Sequence, residues 1–467
     1  MKKMLFFCSS KQLLKKMRFL VICAYATTYI FSLASESTQV TVQLPTESMQ
    51  EECSIVYLAR LRPCETAYQE KLDATLREDL RHFGKINIVA INETMQYYAH
   101  HQNPSAVFAT NAWNNHGVHF IVVPTIKKES IDLSIFFVKT KKIKILDSVP
   151  LSHDLLQDTK QMHLIANTIC HLLYKEPPIF SKKIVYALQS EEPYHQQQKG
   201  EIWEMDYNGE NQRQITQENT LCLSPIIVPN VVHPSNYGLI YVSYKQGQPR
   251  IYMSYKNRPQ GKPLVPLKGN QLLPALSPKL DKIAFISDAS GEVSLFIQKF
   301  SPDKGIVGKP YQVYSCANSV QASPSFSPGG DALAFVSDTS GVPRVYLLSI
   351  PHNLHAQKKR LTPILMSRET QNGTSPSWSP DGEKIAFSSL TKGVRQIWIY
   401  DVKNQREFQI TFDTKNKENP SWAPNSRHLV YNTTAPSYDI FLADIDKKVS
   451  VQLTSGPGIK HYPVFEP

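Results

Sequence analysis

The chain has 467 residues and 41% apolar content, too long for one ordinary domain and apolar enough to build cores for two or three. Its formal charge is +11, but Lys2, Lys3, Lys11, Lys15, Lys16 and Arg18 hold six of those charges, and no acid precedes Glu36. The +5 that remains on the other 400-odd residues is too weak a field to imply a nucleic-acid partner.

The basic start runs into an apolar stretch, "FLVICAYATTYIFSLA", from Phe19 to Ala34. Ser32-Leu33-Ala34 supplies the small-x-small pattern a signal peptidase requires, so residues 1–34 read as a signal peptide cut after Ala34. The alternatives are an uncleaved anchor and a start at Met17. Once the signal is removed, no integral membrane span is expected.

Residues 35–53 lack domain-like apolar density, but Val40, Val42 and Leu44 alternate strictly before Pro45. An extended segment with one apolar face is suited to pairing with an exposed sheet edge. The plainer reading is a leader remnant.

Residues 54–175 predict a compact α/β domain. Strands are expected at 54–60, 86–91, 118–126, 131–138 and 142–149. Tyr68, Leu72, Leu76, Leu80 and Phe83 form a helical stripe stopped by Gly84, and a second long helix is expected over 153–175. Shorter helices are expected in "ETMQYYAHH" and "SAVFATNAW", a hairpin turn at Lys139–Lys142, and a stiff linker at 176–180. Five cysteines follow the signal, an odd number with no C-x-x-C, so zinc-ribbon and thioredoxin readings fail and mostly buried free thiols are expected.

From residue 181 onward one pattern repeats. An apolar triplet occurs at Ile184, Leu239, Ile283, Leu333, Ile385 and Leu429, spaced 44 to 55 residues apart. A second strand-like run follows each, from "EIWEMD" at 201 to "DIFLAD" at 439. A third is expected beside Ile215-Thr216, Leu361-Thr362, Ile410-Thr411 and Leu453-Thr454. Short strands ending in a turn precede most triplets, best preserved in "SPSWSPDG" at 375–382, where Pro380, Asp381 and Gly382 suit the turn positions. Four short strands per unit is a propeller blade. The first triplet lacks a preceding strand, and "YPVFEP" at the C-terminus lacks a following triplet. The fold class is therefore an α/β N-terminal domain followed by a six-bladed all-β propeller, over 181–467, closed by the C-terminal strand.

No catalytic motif emerges. No two of the 19 glycines are four apart, which excludes G-x-S-x-G, and neither H-E-x-x-H nor a P-loop is present. His100, His101, His116 and His119 have no carboxylate spaced to join them, so no metal, cofactor or catalytic residue is expected.

The "SPSWSPDGEKIAF" copies, "KKIVYALQ…GEIWEMDYNGENQRQIT" over 182–216, the leader, the preceding α/β domain and the final "YPVFEP" together resemble the TolB family, periplasmic components of the Tol–Pal system. The copy at 225 has lost most of the motif. The resemblance implies a non-enzymatic, monomeric periplasmic scaffold serving outer-membrane integrity and cell division. It implies binding of the peptidoglycan-associated lipoprotein Pal through the propeller, and of the C-terminal domain of TolA through the mature N-terminus, here Val40, Val42 and Leu44. A solute- or glycan-binding propeller and a propeller lyase or peptidase are the alternatives. The chain passes between blades at 221–224, 270–273, 320–323, 373–375, 418–419 and 460–461, expected to be loops on one face. By resemblance, Asn270, Leu272, Gln321 and Thr374 of this rim are the expected Pal contacts.

Overall fold

The computed structural model describes residues 53–467 apart from 102–103, 109–110, 178, 191–198, 231–235, 354–360 and 371. The signal segment and Val40, Val42 and Leu44 lie outside the described residues. The described chain divides into two compact units that meet between Ser181 and Lys182.

The first unit carries a five-stranded sheet ordered Ile86–Ile88, Ser54–Leu58, Phe120–Lys127, Ser130–Phe137, Lys142–Pro150. Its first three strands are parallel and its last two join as antiparallel hairpins. Helix Ala67–His82 begins at a capping box, with Thr66 and Gln69 satisfying each other's backbone N–H groups. It buries Leu72, Leu76 and Leu80 and packs on helix Leu155–Tyr174. Arg77 donates to the carbonyls of Leu58 and Ala59, both at 3.0 Å, and Asp73 accepts from Leu61 N–H at 2.8 Å. This pair saturates the backbone where the strand Ser54–Leu58 runs out of ladder partners. The expected linker is not free-standing: Ile179 and Phe180 are buried, and Asn167 Oδ1 accepts both their N–H groups.

The second unit contains six four-stranded antiparallel sheets. Five are built from consecutive strands. The first blade takes its innermost strand, Ile459–Phe465, from the C-terminus, paired antiparallel with Lys183–Gln189, then Gly200–Asp206 and Arg213–Gln214. Innermost strands of successive blades touch in ring order, and Ile459–Phe465 lies between Lys417–Trp422 and Cys222–Val228.

The six triplets form the second strands. All eighteen of their residues are 0 or 1% exposed, because each second strand is covered on both faces by neighbouring blades. The third triplet residue faces an aromatic across the ladder in every blade: Tyr186–Trp203, Tyr241–Tyr252, Phe285–Phe296, Phe335–Tyr346, Phe387–Trp398 and Tyr431–Phe441. Phe285 and Phe296 stack at 5.7 Å and Tyr431 and Phe441 at 5.6 Å. Such pairs add to the area term because their quadrupoles favour offset and tilted contact.

The threonines after the third runs also have a repeated task. Thr216, Thr411 and Thr454 accept the N–H of Ile202, Ile397 and Ile440 at 2.8, 2.9 and 2.9 Å. Leu361-Thr362 does not join this set. The outer strand of that blade is Ile364–Leu365, and Ser367 supplies the acceptor for Val345 N–H at 3.0 Å. A side-chain oxygen is what the position requires: Ser367 supplies it here, five residues after Thr362, and Gln271 Oε1 accepts Ile251 N–H at 3.1 Å in the second blade.

Candidate functional site

Each innermost strand carries, two to four residues in, a residue followed by proline: Ser224-Pro225, Leu273-Pro274, Ser323-Pro324, Ser375-Pro376, Asn419-Pro420 and Tyr462-Pro463. Proline cannot donate to the ladder, so a central strand tolerates it only at a bulge. In all six blades the register with the second strand slips at this dipeptide, with two residues opposing one. The residue before each proline takes left-handed backbone, φ from 46° to 52°. Its side chain is partly exposed while the proline is buried. Because the innermost strands form a ring and share one register, the six bulges converge at one end of it.

Hydrogen bonds tie neighbouring innermost strands together. Ser375 Oγ donates to Asn419 Oδ1 at 3.0 Å, joining two bulges. Below them Trp378 N–H donates to Ser325 Oγ at 3.0 Å, and Trp422 Nε1 to the Ser377 carbonyl at 2.9 Å. The rim is thus a braced frame rather than a set of independent loops.

One sector of this end is charged. Arg395 Nη1 lies 3.2 Å from both the Asn372 carbonyl and Thr374 Oγ1, and its Nε lies 3.4 Å from Glu418 Oε1. Glu418 is 7% exposed; burial pushes its carboxyl up to about 7, against the opposing pull of Arg395. At the equivalent position of the next blade, burial pushes His461 down to about 4, and its sealed Nε2 has no hydrogen-bond partner among the described residues. Lys417 and Lys460, 1% and 3% exposed, anchor the incoming chain: Lys417 bonds the Lys415 carbonyl at 2.8 Å and Lys460 bonds the Gly456 carbonyl at 2.5 Å.

The four expected contact residues all lie at this end; Asn270 is on the connecting loop, but the other three are not. Leu272, Gln321 and Thr374 are strand residues, because pairing starts before the bulge. Leu272 is 7% exposed and packs into the core, and Gln321 is 1% exposed, so neither side chain is presented to a partner. Asn270 is partly exposed, with its side chain and backbone both bonded to Asp288 at 2.8 Å. Thr374 is partly exposed and bonded to Arg395. Sequence reasoning missed the bulge residues and the Arg395–Glu418 pair. The pre-proline position, repeated six times, was the available signal for the first; nothing local marks the second, which joins different blades.

Three of the four histidines of the first unit's cluster are spent on backbone: His119 Nδ1 accepts Ile55 N–H at 3.0 Å, and ring nitrogens of His100 and His116 meet carbonyls at 2.9 and 3.0 Å. Among the described residues no three His, Cys, Asp or Glu side chains gather as a metal site, and no helix is long and apolar enough to cross a membrane. The five cysteines described are unbridged; Cys170 and Cys222 are buried, whereas Cys53, Cys64 and Cys316 are only partly so.

Comparison with known proteins matches this architecture. The profile described as the TolB beta propeller domain matches residues 171–436 and 357–467. A protein of Protochlamydia amoebophila named Protein TolB homolog is 37% identical over 401 residues, 84% of each chain. One of Chlamydia caviae bearing the same name is 39% identical over 264 residues, 56% of this chain and 60% of that protein. The crystal structure of TolB from Acinetobacter baumannii superposes with a TM-score of 0.68 at 18% identity, covering 89% of this chain and 97% of that one.

Proposed function

The chain belongs to the TolB family of β-propeller proteins, and from that premise we propose that it is a non-enzymatic periplasmic scaffold of a Tol–Pal system. It binds a Pal-type lipoprotein at the bulge end of the propeller and a TolA-type C-terminal domain through residues 35–53, and so supports outer-membrane integrity and invagination during division. The observation that carries the docking reading is the bulge ring: six partly exposed left-handed residues on a hydrogen-bonded frame. Strained backbone held by a rigid surround is characteristic of binding surfaces. The side chains offered there, three serines, an asparagine, a tyrosine and a leucine, suit hydrogen bonding and contact with a polypeptide.

The partner assignment is tested by capture from an envelope extract, with the retained protein identified by mass. A Pal-type lipoprotein supports the proposal. Recovery of a small solute without any lipoprotein contradicts it. Deleting residues 35–45 is expected to abolish capture of the TolA-type domain and leave both Tm and lipoprotein capture unchanged. Undiminished TolA-type binding after the deletion refutes the role given to Val40, Val42 and Leu44.

A further inference from the structure

At the outer edge of the first two blades lies a cavity of about 420 Å³, lined by Arg213, Gln214, Ile215, Asn236, Lys256 and Asn257. Arg213 and Gln214 form the outermost strand of the first blade, and Lys256 and Asn257 form the turn between strands Arg250–Tyr255 and Arg258–Pro263 of the second. The volume is within the range of small-molecule sites.

Its electrostatics are set from behind. Glu204 is fully buried and accepts from Arg213, from the Tyr237 hydroxyl and from Lys256, the last at 3.1 Å. Burial alone would raise its carboxyl, but the Tyr237 hydroxyl and the two cations outweigh burial and hold it below the usual range. The Lys256 ammonium also sits 5.1 Å from the centre of the Tyr237 ring. One carboxylate therefore fixes two cations in place and balances one of them. Lys183 and Asp206 nearby pair with each other. Among the described residues no carboxylate lines the cavity, and the Arg213 side chain stays 57% exposed. The Asn236 amide is ordered, its Oδ1 accepting Asn257 N–H at 3.1 Å.

Two preorganised cations, amide-bearing walls and one apolar side chain, Ile215, make an arrangement that recognises an oxyanion on a polar body. We propose that this cleft between the first and second blades binds a sugar-sized ligand carrying a carboxylate or phosphate group. The site is remote in sequence from the bulge residues of most blades and does not depend on the lipoprotein reading.

The test is calorimetric titration of the full chain at constant ionic strength with glucuronate, glucose 6-phosphate and neutral glucose. Saturable binding of at least one charged probe and none of glucose is expected. Binding of glucuronate alone assigns a carboxylate ligand, of glucose 6-phosphate alone a phosphate ligand, and of both a site that reads charge. Arg213→Gln leaves Lys256 beside Glu204, so the buried carboxylate keeps a partner and the fold is expected to stand. That variant should weaken binding by about tenfold or more, the loss of one charge-assisted contact. Lys256→Met should do the same, and Lys279→Gln, away from the cleft, should bind as the parent does. The proposal is overturned if no charged probe saturates, if glucose binds equally, or if Arg213→Gln and Lys256→Met bind undiminished.

Discussion

At the residue scale, burial decides what each repeated position does. Phe387 is 0% exposed, sits on a strand covered on both faces and faces Trp398 across the ladder. Phe387→Ala is expected to cost about 3–5 kcal/mol, read from denaturant unfolding, because the cavity it leaves cannot collapse between two rigid blades. A loss below about 1 kcal/mol would place the triplets outside the core. Gln321 shows the reverse lesson. As a loop residue it would accept a bulky replacement, but at 1% exposure Gln321→Trp would disturb the fold itself, so binding variants belong at the bulge residues instead.

Glu418 and His461 are opposed titrating groups. The Glu418 carboxyl is raised from 4.5 to about 7, so the folded state holds its proton more tightly, and stability falls as pH rises between about 4.5 and 7. The His461 imidazole is lowered from 6.5 to about 4, so the unfolded state takes up the proton first, and stability rises with pH between about 4 and 6.5. In the parent the two slopes largely cancel. Glu418→Gln is expected to unmask a rising stability profile and His461→Gln a falling one, each with a slope of up to about 1.4 kcal/mol per pH unit. Unfolding free energies measured from pH 4.5 to 6.5 check this. Parallel profiles for parent and both variants would show that neither group is shielded as described.

At the element scale, the closing strand is the clearest device. Ile459–Phe465 supplies the ladder for Lys183–Gln189 and seats Phe465, 3% exposed, against the sixth blade through the Ser421 hydroxyl at 3.4 Å. A chain ending at Gly458 leaves the first blade without its inner strand and the ring without its seam. The lost contacts rival the net stability of a domain, about 5–15 kcal/mol. Loss of cooperative unfolding and of near-UV circular dichroism is expected, and an unchanged Tm would contradict closure.

This exchange was legible in the sequence because both overhangs are visible: a triplet with no strand before it and a strand with no triplet after it. The blade count and the second and third strands were legible for the same reason, since alternation and aromatic content repeat six times. What escaped was geometry that spacing does not encode. The outer strand beside Ile364 was misplaced toward Thr362 because Ser367 performs the threonine's task. Leu272 and Gln321 looked like loop residues because a proline follows within three positions, whereas the bulge lets the ladder start before it. The Arg395–Glu418 pair joins residues of different blades, and sequence neighbours carry no trace of it.

At the scale of the whole molecule, six blades braced against one another hold the bulge end, the proposed docking face, in a fixed ring. Small left-handed residues at the bulges are the least costly places to alter the docking face, since their side chains are outside the triplet core. The opposite end of the same strands carries the turns at Ser277, Ser327 and Ser379, where Glu383 is exposed. The central claim is that partners meet the bulge end. It is tested most directly by titration calorimetry of the chain against the soluble domain of a Pal-type lipoprotein, comparing Ser323→Trp and Ser375→Arg with Glu383→Trp. The account predicts at least about tenfold weaker binding for both bulge variants, with parent Tm, and parent affinity for Glu383→Trp. Normal binding by the bulge variants together with loss of binding by Glu383→Trp would place the docking face at the other end of the ring.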